Sequence, residues 1–352
     1  MSNQSMTFSV DTLKAFGMSV LHAAGCSEAQ ANSFVDNLIW ADASGRGTHG
    51  FWRLPVYVRR FREGLMDGQA TPTITNNASA LIAIDAANTS GQYAGDIACK
   101  HIAERSQQHG IAAATVANSN HFGAAGYFAA ALAEQGLIGL VLSNSMPRIA
   151  PTGGRRAVFG TNPLAFAAPL GDQQPVLVDF AASAMSGAAI MQMAAAGIPL
   201  EEGVAIDADG KPLTDASGVG KGALLPFGAH KGFGIALLVE LLSGVLSGAG
   251  VSSGVGSMFN DFTRAANTGH CFIAIDPQSI WQDMSVYNQR AKALADTIIA
   301  AGAPGEVRLP GANTWKKLAE ARDSGITFAP KVTDALAQLA SDVGVPALRS
   351  VP

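Results

Sequence analysis

The sequence predicts an α+β fold, with a sheet domain in the middle of the chain and helices at both ends. From Ala80 onward, short β-like runs alternate with helical ones, whereas residues 8–45 and the tail from 283 show only helical patterns. Residues 157–180 hold three strand-like runs that lie too close together for helical crossovers between them. We therefore predict antiparallel pairing within that region.

The composition is that of a globular chain with few charges. Of 352 residues, 48% are apolar and 14% are charged, and the formal charge of −4 gives no reason to expect nucleic acid as a partner. Cys26, Cys99 and Cys271 lie far apart, and the start of the chain lacks the basic and apolar segments of a signal peptide. These features predict a reduced, cytoplasmic protein. The longest apolar run, Gly232–Gly250, is interrupted by Glu240, so we predict a buried helix and no membrane span.

Two helices are predicted in residues 8–45, the first beginning near Ser9 and the second near Ser27. Ser27-Glu-Ala-Gln30 has the form of a capping box, in which each end of the motif bonds the backbone of the other. Leu38–Trp40 continues the second helix toward residues 45–53, which read G-R-G-T-H-G-F-W-R.

Gly45, Gly47 and Gly50 match the G-x-G-x-x-G spacing of a dinucleotide-binding loop. That loop requires a strand before it and an acidic residue about 20 residues after it, on a second strand. Because the residues before Gly45 are helical, we predict that the match is accidental and that the chain has no Rossmann loop here.

The remaining elements follow from periodicity. The predicted strands are Leu81–Ile84, Ile111–Val116, Ile138–Leu142, Ala157–Phe159, Leu164–Ala168, Val176–Phe180 and Cys271–Ile275. The predicted helices are Gln92–Gln108, Ala124–Gln135, 184–196, Phe227–Leu246, Ser285–Ala301, Thr314–Ala321 and Thr333–Val343. Phe227–Leu246 is apolar on nearly all sides, which predicts a helix buried in the centre of the protein.

His49 and Arg53 are four residues apart and would share one face of a helix, roughly 5–6 Å apart at Cβ. Pro55 would kink such a helix or begin a new one. An arginine grips a carboxylate through two parallel hydrogen bonds, and a histidine transfers protons near neutral pH, so the pair suits a carboxylate substrate. Thr48 could bond the imidazole or cap the helix. The alternative interpretation is a helix start with one buried histidine.

Two further segments could bind anions. His121 lies in the small-residue loop 118–126, between a strand and a helix, where free N–H groups could hold phosphate or form an ordinary capped turn. His230-Lys231-Gly232 places positive charge at the start of the long apolar helix. Lys231 there either reaches solvent or meets an anion.

Taken together and in this order, six segments resemble the type 2 malate/L-lactate dehydrogenase family. The segments are Thr48–Arg53, Ser119–Tyr127, Phe159–Phe166, Val178–Ala181, Leu225–Gly232 and Phe272–Pro277. The resemblance covers nearly the whole chain. Gly222–Gly228 and Asn144–Met146 are most similar to the cyclic imino acid reductases of that family, which act on Δ1-piperideine-2-carboxylate and Δ1-pyrroline-2-carboxylate.

The resemblance implies an oxidoreductase that uses NADPH or NADH and has a non-Rossmann cofactor domain, a mainly antiparallel sheet flanked by helices. It also implies a homodimer, in which substrate lies between the sheet domain and a helical domain built from both chain ends. Residues 1–78 would form the N-terminal helical substrate-side domain and residues 79–282 the NAD(P)-binding domain. Residues 283–352 would form a C-terminal helical segment that packs with the N-terminal domain.

The resemblance assigns roles to individual residues. His49 would be the proton donor, Thr48 stands where a serine usually orients it, and Arg53 and Thr161 would bind the substrate carboxylate. The cofactor would contact His121, Phe122, Gly123, Ala124, Ala125, Asp179, Phe180, Ala181, His230, Lys231, Gly232, Arg308, Leu309, Pro310 and Gly311. No metal is expected.

The implied reaction delivers hydride to the C=N or C=O carbon next to a carboxylate, in a cyclic 2-imino acid or a small 2-oxo acid. The nearest alternative is a malate, lactate or ureidoglycolate type of 2-hydroxy acid dehydrogenase. At one position the chain departs from the family, because Ala188-Ala189 stands where a glycine and a lysine or aspartate are usual. In the imino acid reductases that aspartate belongs to the proton relay. A family member that binds ligands without catalysis is therefore the alternative of another class.

Overall fold

The computed structural model describes residues 5–349, and its helices and strands alternate along most of that range. The helices are α1 (Val10–Ala23), α2 (Glu28–Ala43), α3 (Leu54–Arg62), α4 (Gly91–His109), α5 (Ala125–Glu134), α6 (Gly187–Ala196), α7 (His230–Glu240), α8 (Met284–Ile299), α9 (Ala312–Ser324) and α10 (Pro330–Val343). The strands are β1 (Met6–Phe8), β2 (Thr73–Ala78), β3 (Leu81–Asp85), β4 (Ile111–Ser119), β5 (Ile138–Ser143), β6 (Leu164–Leu170), β7 (Gln173–Phe180), β8 (Ala205–Ile206), β9 (Ala223–Leu224), β10 (Thr268–Ile275) and β11 (Ile326–Phe328).

Seven of these strands form the central sheet, in the order β2-β3-β4-β10-β5-β6-β7. Only β3 and β4 run parallel, and the long helix α4 makes the crossover between them. Every other neighbouring pair in this sheet is antiparallel. The predicted α+β fold with a mainly antiparallel sheet is therefore confirmed.

The sheet is covered by helices on both faces. Phe128 on α5 and Ile102 on α4 are fully buried against one face, together with Phe272 of β10. On the other face Val239 of α7 packs against Leu142 in a smaller cluster. Burial of these apolar side chains is the main favourable contribution to folding.

The two chain ends meet in a helical layer. β1 pairs antiparallel with β11, so that Phe8 lies opposite Ile326. Phe51, Leu336 and Tyr57 are fully buried in the same apolar cluster. Residues from both chain ends thus contact each other, whereas the predicted domain organisation stays a prediction. The helix α8 differs, because it lies against β6, where the Tyr287 hydroxyl donates to the Pro169 carbonyl oxygen at 3.1 Å.

The predicted helix starts agree with the structure. Ser9 and Ser27 cap α1 and α2, each accepting a hydrogen bond from an amide three residues on. The reciprocal half of the predicted capping box is wrong. The Gln30 side chain is fully buried and bonds the Asp67 carbonyl and the Ser90 amide instead of returning to Ser27.

Two strand predictions need correction. Ala157–Phe159 is not a strand, since Phe159 forms only an isolated bridge with Ile149. The edge strand β2 was not predicted, because its residues T-I-T-N-N-A are mostly exposed and polar. The domain boundaries stay predictions, although β2 pairs with β3 and so lies in the sheet.

The predicted burial of the long apolar helix is wrong. The α-helix begins at His230, ends at Glu240 and continues as a π-helical turn over Leu241–Val245. Five apolar side chains of this segment are 41–58% exposed: Leu237, Leu238, Leu241, Val245 and Leu246. The sequence shows that this helix is apolar, but not which of its faces the sheet covers. Within residues 5–349, no helix combines the length and apolarity that crossing a bilayer requires.

Candidate active site

Residues 47–53 do not form one continuous helix, the arrangement in which His49 and Arg53 would share a face. Gly47–His49 and Phe51–Arg53 are two separate 3-10 helical turns, and the extended backbone of Gly50 divides them. Arg53 leads directly into α3, which has Pro55 in its first turn. Of the two predicted alternatives for Pro55, a kink or a helix start, the structure shows the helix start. A Cβ atom at Gly50 would lie 2.1 Å from the Asp42 carboxyl group. Only glycine permits this approach.

Asp42 holds the second of these turns in place. Its Oδ2 accepts a hydrogen bond from the Phe51 amide at 2.8 Å. Burial raises the pKa of Asp42 to about 7, although the bond from Phe51 opposes the shift. Sequence reasoning missed this residue, and the available signal was a lone acidic residue near the end of a mostly buried helix.

His49 lies against His121, which comes from the loop between β4 and α5. Their rings are stacked, with centroids 5.5 Å apart and planes 6° apart. Burial, followed by the charges of Arg53 and Arg46, lowers the pKa of His49 to about 3, while the Gly123 backbone acts in the opposite direction. His49 Nδ1 is buried and has no hydrogen-bond partner among the described residues. The ring is therefore neutral at pH 7 and can accept a proton.

Arg53 stands beside this histidine pair. Its Nη1 lies 3.2 Å from His121 Nε2 and 3.2 Å from Met258 Sδ, and its Nε donates to the Thr48 carbonyl oxygen. Within residues 5–349, no carboxylate pairs with this guanidinium, and Tyr57 is a further side-chain partner of it. Burial lowers the pKa of Arg53, as expected for a cation without a carboxylate partner. One edge of the guanidinium is thus left for an anion.

Tyr57 completes the cluster and was missed by sequence reasoning. It lies one helical turn after Arg53, which is the spacing that could have identified it. Its hydroxyl contacts His121 Nδ1, and the Gly123 amide donates to the same nitrogen at 3.1 Å. Burial and then the Arg53 charge hold the pKa of His121 well below its usual value.

Two amides at the start of α5 already have side-chain acceptors. The Ala124 amide donates to Asn37 Oδ1 at 3.2 Å, and the Gly126 amide donates to Asp179 Oδ2 at 3.1 Å. Phe122 is buried and stacks on His270, with ring centroids 4.6 Å apart. This loop is therefore tied to the protein, and it directs His121 toward His49.

Asp179 forms a partly buried ion pair with Arg46, another residue that sequence reasoning missed. Arg46 Nε lies 3.0 Å from Asp179 Oδ2. Arg46 also donates to Thr314 at 3.2 Å and lies over the Trp40 ring, 5.2 Å from its centroid. Burial raises the pKa of Asp179, and the Arg46 charge opposes that shift. The Asp179 carboxylate thus ties β7 to α5 and to the segment that follows α2.

The backbone of Thr161 bonds Ser145 and Ala182, not the histidine pair. Its amide donates to Ser145 Oγ at 3.1 Å, and its carbonyl accepts from the Ala182 amide at 2.8 Å. It therefore lies beside Ala181, just beyond β7. The structure forms no direct bond between Thr161 and Arg53. Ala189 lies in the first turn of α6, where its amide donates to Ser186 Oγ.

The other predicted cofactor segments lie near β7 and the chain that leaves it. Phe227 bonds the Ala182 carbonyl, which places the start of α7 beside Phe180 and Ala181. His230 and Lys231 are exposed there, and Gly232 is buried against the same carbonyl. In the remaining segment, Arg308, Leu309, Pro310 and Gly311, the Pro310 carbonyl accepts from the Leu177 amide at 3.0 Å.

These features fit a dinucleotide cofactor. The start of α7 has no side-chain cap, and Lys231 beside it is an exposed cation, which suits a phosphate. Arg308, on the other side of β7, is also exposed. A buried histidine beside an arginine without a carboxylate partner, on a mainly antiparallel sheet, is compatible with one class, the non-Rossmann dehydrogenases and reductases.

Comparison with known proteins identifies the family. The sequence model of the family described as malate/L-lactate dehydrogenase matches residues 8–337. The chain belongs to this family, as the resemblance predicted, and it is an NAD(P)-dependent dehydrogenase or reductase.

Its relatives cover nearly the whole chain. It is 34% identical to the Δ1-pyrroline-2-carboxylate/Δ1-piperideine-2-carboxylate reductase of Pseudomonas putida, over 93% of this chain and 95% of that protein. It is 31% identical to the L-sulfolactate dehydrogenase of Methanothermobacter thermautotrophicus, over 93% and 94%. Malate dehydrogenase from Entamoeba histolytica has a similar structure, with a TM-score of 0.90, 28% identity and coverage of 97% and 99%. For Δ1-piperideine-2-carboxylate reductase from Pseudomonas syringae the TM-score is 0.87, the identity 31% and the coverage 95% and 99%.

Proposed function

We propose that this protein reduces the C=N or C=O carbon next to the carboxylate of a small acid, and that a cyclic 2-imino acid such as Δ1-piperideine-2-carboxylate is its substrate. The observation that carries the proposal is the Arg53 guanidinium, which lies beside His49 and has no carboxylate partner within residues 5–349. A guanidinium fork matches a carboxylate in geometry and charge. Relatives named for this reaction support the choice of substrate.

The charge on Arg53 links substrate binding to proton transfer. In the free protein, Arg53 is the largest cause, after burial, of the lowered pKa of His49. A carboxylate bound to Arg53 offsets that charge, so the pKa of His49 rises when the substrate binds. The protonated ring then gives its proton to the substrate oxygen or nitrogen. NADH or NADPH, when bound, supplies the hydride.

The remaining residues orient these groups or hold the cofactor. His121 stacks on the His49 ring, and the Tyr57 hydroxyl bonds His121 and holds it in that position. The cofactor would lie along His121–Ala125, Asp179–Ala181, His230–Gly232 and Arg308–Gly311, with Lys231 and Arg308 facing its phosphates. Thr161 would assist Arg53 once substrate is bound.

Ala189 favours a second candidate function, that of a family member that binds ligands without catalysis. An alanine methyl group cannot relay a proton. Under our proposal the Thr48 hydroxyl, next to His49 in the chain, orients the imidazole in place of the usual serine. A protein without catalysis would instead bind NADPH and show no turnover.

An absorbance assay tests the proposed reaction. We expect oxidation of NADH or NADPH with Δ1-piperideine-2-carboxylate, Δ1-pyrroline-2-carboxylate or pyruvate, because each places a reducible carbon next to a carboxylate. Oxaloacetate and, in the reverse direction, malate and lactate are assayed beside them. Quenching of protein fluorescence by NADPH, without turnover of any of these acids, would instead support the ligand-binding function.

We also propose that the protein is a homodimer. The exposed apolar side chains Leu237, Leu238, Leu241, Val245 and Leu246 lie on α7 and the turn that follows it, and a patch of this kind is typical of an interface. A second copy of the chain would bury it.

The Leu241→Glu variant tests the dimer. We expect light scattering after size-exclusion chromatography to give twice the chain mass for the natural protein and the chain mass for the variant. A buried, unpaired carboxylate opposes association, which is the physical reason for the change. Exposed Leu294 on α8 provides the matched control, and Leu294→Glu should remain dimeric. A monomeric natural protein would contradict the proposal.

A further inference from the structure

We propose that residues 257–264 form a fixed wall of the substrate pocket that selects acids with one negative charge and an apolar remainder. We call this segment the wall loop. It leads from the glycine-rich stretch after α7 to β10. The inference rests on the proposed function, because it takes Arg53 as the group that binds the substrate carboxylate.

The wall loop places apolar and aromatic groups directly against Arg53. Met258 Sδ lies 3.2 Å from Arg53 Nη1, and the Phe259 ring centroid lies 5.0 Å from Arg53 Cζ. The Trp52 ring stacks on Phe259, with centroids 6.1 Å apart and planes 19° apart. Phe259 is 38% exposed and Trp52 is 39% exposed, so both rings offer surface to a ligand held by Arg53.

Arg60 holds the wall loop in one position. Its side chain is only 1% exposed, and its guanidinium donates to the carbonyl oxygens of Ser257, Asp261 and Arg264 at 3.4, 2.9 and 3.1 Å. These three bonds join the loop to α3, the helix that begins directly after Arg53. The wall and the carboxylate-binding arginine are therefore built on the same rigid element.

No second cation is available beside Arg53 among the described residues that surround it. Arg264 pairs with Asp261 at 2.8 Å, and Arg46 pairs with Asp179. Arg60 donates its hydrogen bonds to the wall-loop carbonyl oxygens. A second carboxylate or a sulfonate on the substrate would be placed next to Met258 and Phe259. It would lose its hydration water there without gaining an ion-pair partner, which is unfavourable for binding.

The wall loop therefore separates two kinds of substrate within this family. Malate and sulfolactate, for which some relatives are named, carry a second anionic group. Cyclic imino acids carry one carboxylate on an apolar ring, which can pack on Phe259 while Arg53 holds the carboxylate. The structure assigns Met258 and Phe259 as the residues that determine specificity.

A comparison of kcat/KM between substrates with one and two carboxylates tests the role of the wall loop. We expect kcat/KM for pyruvate to exceed that for oxaloacetate by at least about tenfold, because the second carboxylate gains no hydrogen-bonded ion pair. Met258→Arg supplies a second fork, and the ratio should move toward oxaloacetate by at least about tenfold. A natural protein that uses oxaloacetate as efficiently as pyruvate, or an unmoved ratio in this variant, would overturn the inference.

Phe259→Ala tests the apolar contact. We expect kcat/KM to fall about fivefold for Δ1-piperideine-2-carboxylate and to change less than about twofold for pyruvate, which has no ring to pack. Phe262→Ala is the control, because its ring lies over Arg59, 3.6 Å from Cζ, in the same loop. It should change both substrates by the same factor. If Phe259→Ala lowers kcat/KM by the same factor for both substrates, the substitution has displaced the loop. That result would contradict a role of Phe259 in specificity.

A binding experiment separates this inference from the proposed reaction. Protein fluorescence, to which Trp52 contributes, is titrated with pyrrole-2-carboxylate and with pyrrole-2,5-dicarboxylate, which differ by one anionic group. We expect the single anion to bind at least about tenfold more tightly even if no acid is turned over. Equal affinities would contradict the inference that the wall loop selects acids with one negative charge. Selective binding without turnover would contradict only the proposed reaction.

Discussion

Replacing His49 with alanine is expected to lower the turnover number at least about 100-fold, the usual scale for loss of a general acid or base. The ring stacks on His121, and the Arg53 charge is near enough to lower its pKa. Turnover is measured by NADPH oxidation at saturating substrate. His109→Ala, an exposed histidine at the end of α4, is the control and should keep normal turnover.

The pH dependence sharpens this result. Because the pKa of His49 is lowered to about 3 in the free protein, the ring is neutral at pH 7 and must take up a proton when it acts as an acid. We expect log kcat/KM for reduction to fall by about one for each pH unit between about pH 5 and 8, and the His49→Ala variant to lose this slope. Near-normal turnover with an unchanged slope would rule out His49 as the proton donor.

Replacing Arg53 with lysine is expected to lower kcat/KM about 10-fold to 100-fold, mainly through a higher KM. The substitution keeps one positive charge but removes the two-pronged hydrogen bond to a carboxylate. It also removes the bond from Nε to the Thr48 carbonyl, which orients the guanidinium. Initial rates over a wide substrate range measure the effect.

Arg59→Lys is the matched control for this variant. Arg59 lies on the same helix, α3, but is exposed and pairs with Glu63 at 2.7 Å, so the exchange should leave kcat/KM within about twofold. If Arg53→Lys leaves the dependence of rate on substrate concentration unchanged, Arg53 does not bind the carboxylate.

Short-range spacing was enough to predict that His49 and Arg53 lie close together, but not how the chain joins them. The prediction assumed a helix, whereas the structure places two 3-10 turns around an extended Gly50. The cause is Asp42, whose buried carboxyl fills the space that a helical side chain would need. A sequence pattern records which residues are near in the chain. It does not show which distant side chain they pack against.

The same limit explains the other differences. Periodicity located most of the strands, but β10 enters the sheet between β4 and β5 from more than a hundred residues further along the chain. Asp179 was predicted from the resemblance as a cofactor residue, and its partner Arg46 could not be identified, because the two are joined only by tertiary folding. The sequence likewise could not predict that side chains of α7 are exposed, because an apolar helix has the same sequence pattern whether a sheet or another molecule covers it.

The ion pair between Arg46 and Asp179 has a consequence for the chemistry of His49. Arg46 is one of the charges that lower the pKa of His49. Asp179, on β7, neutralises Arg46 at 3.0 Å and so weakens that effect without contacting the imidazole. The proton affinity of His49 therefore depends on how β7 sits against the segment that follows α2. A small displacement of the sheet relative to the helical layer would change the acidity of the proposed proton donor as well as its position.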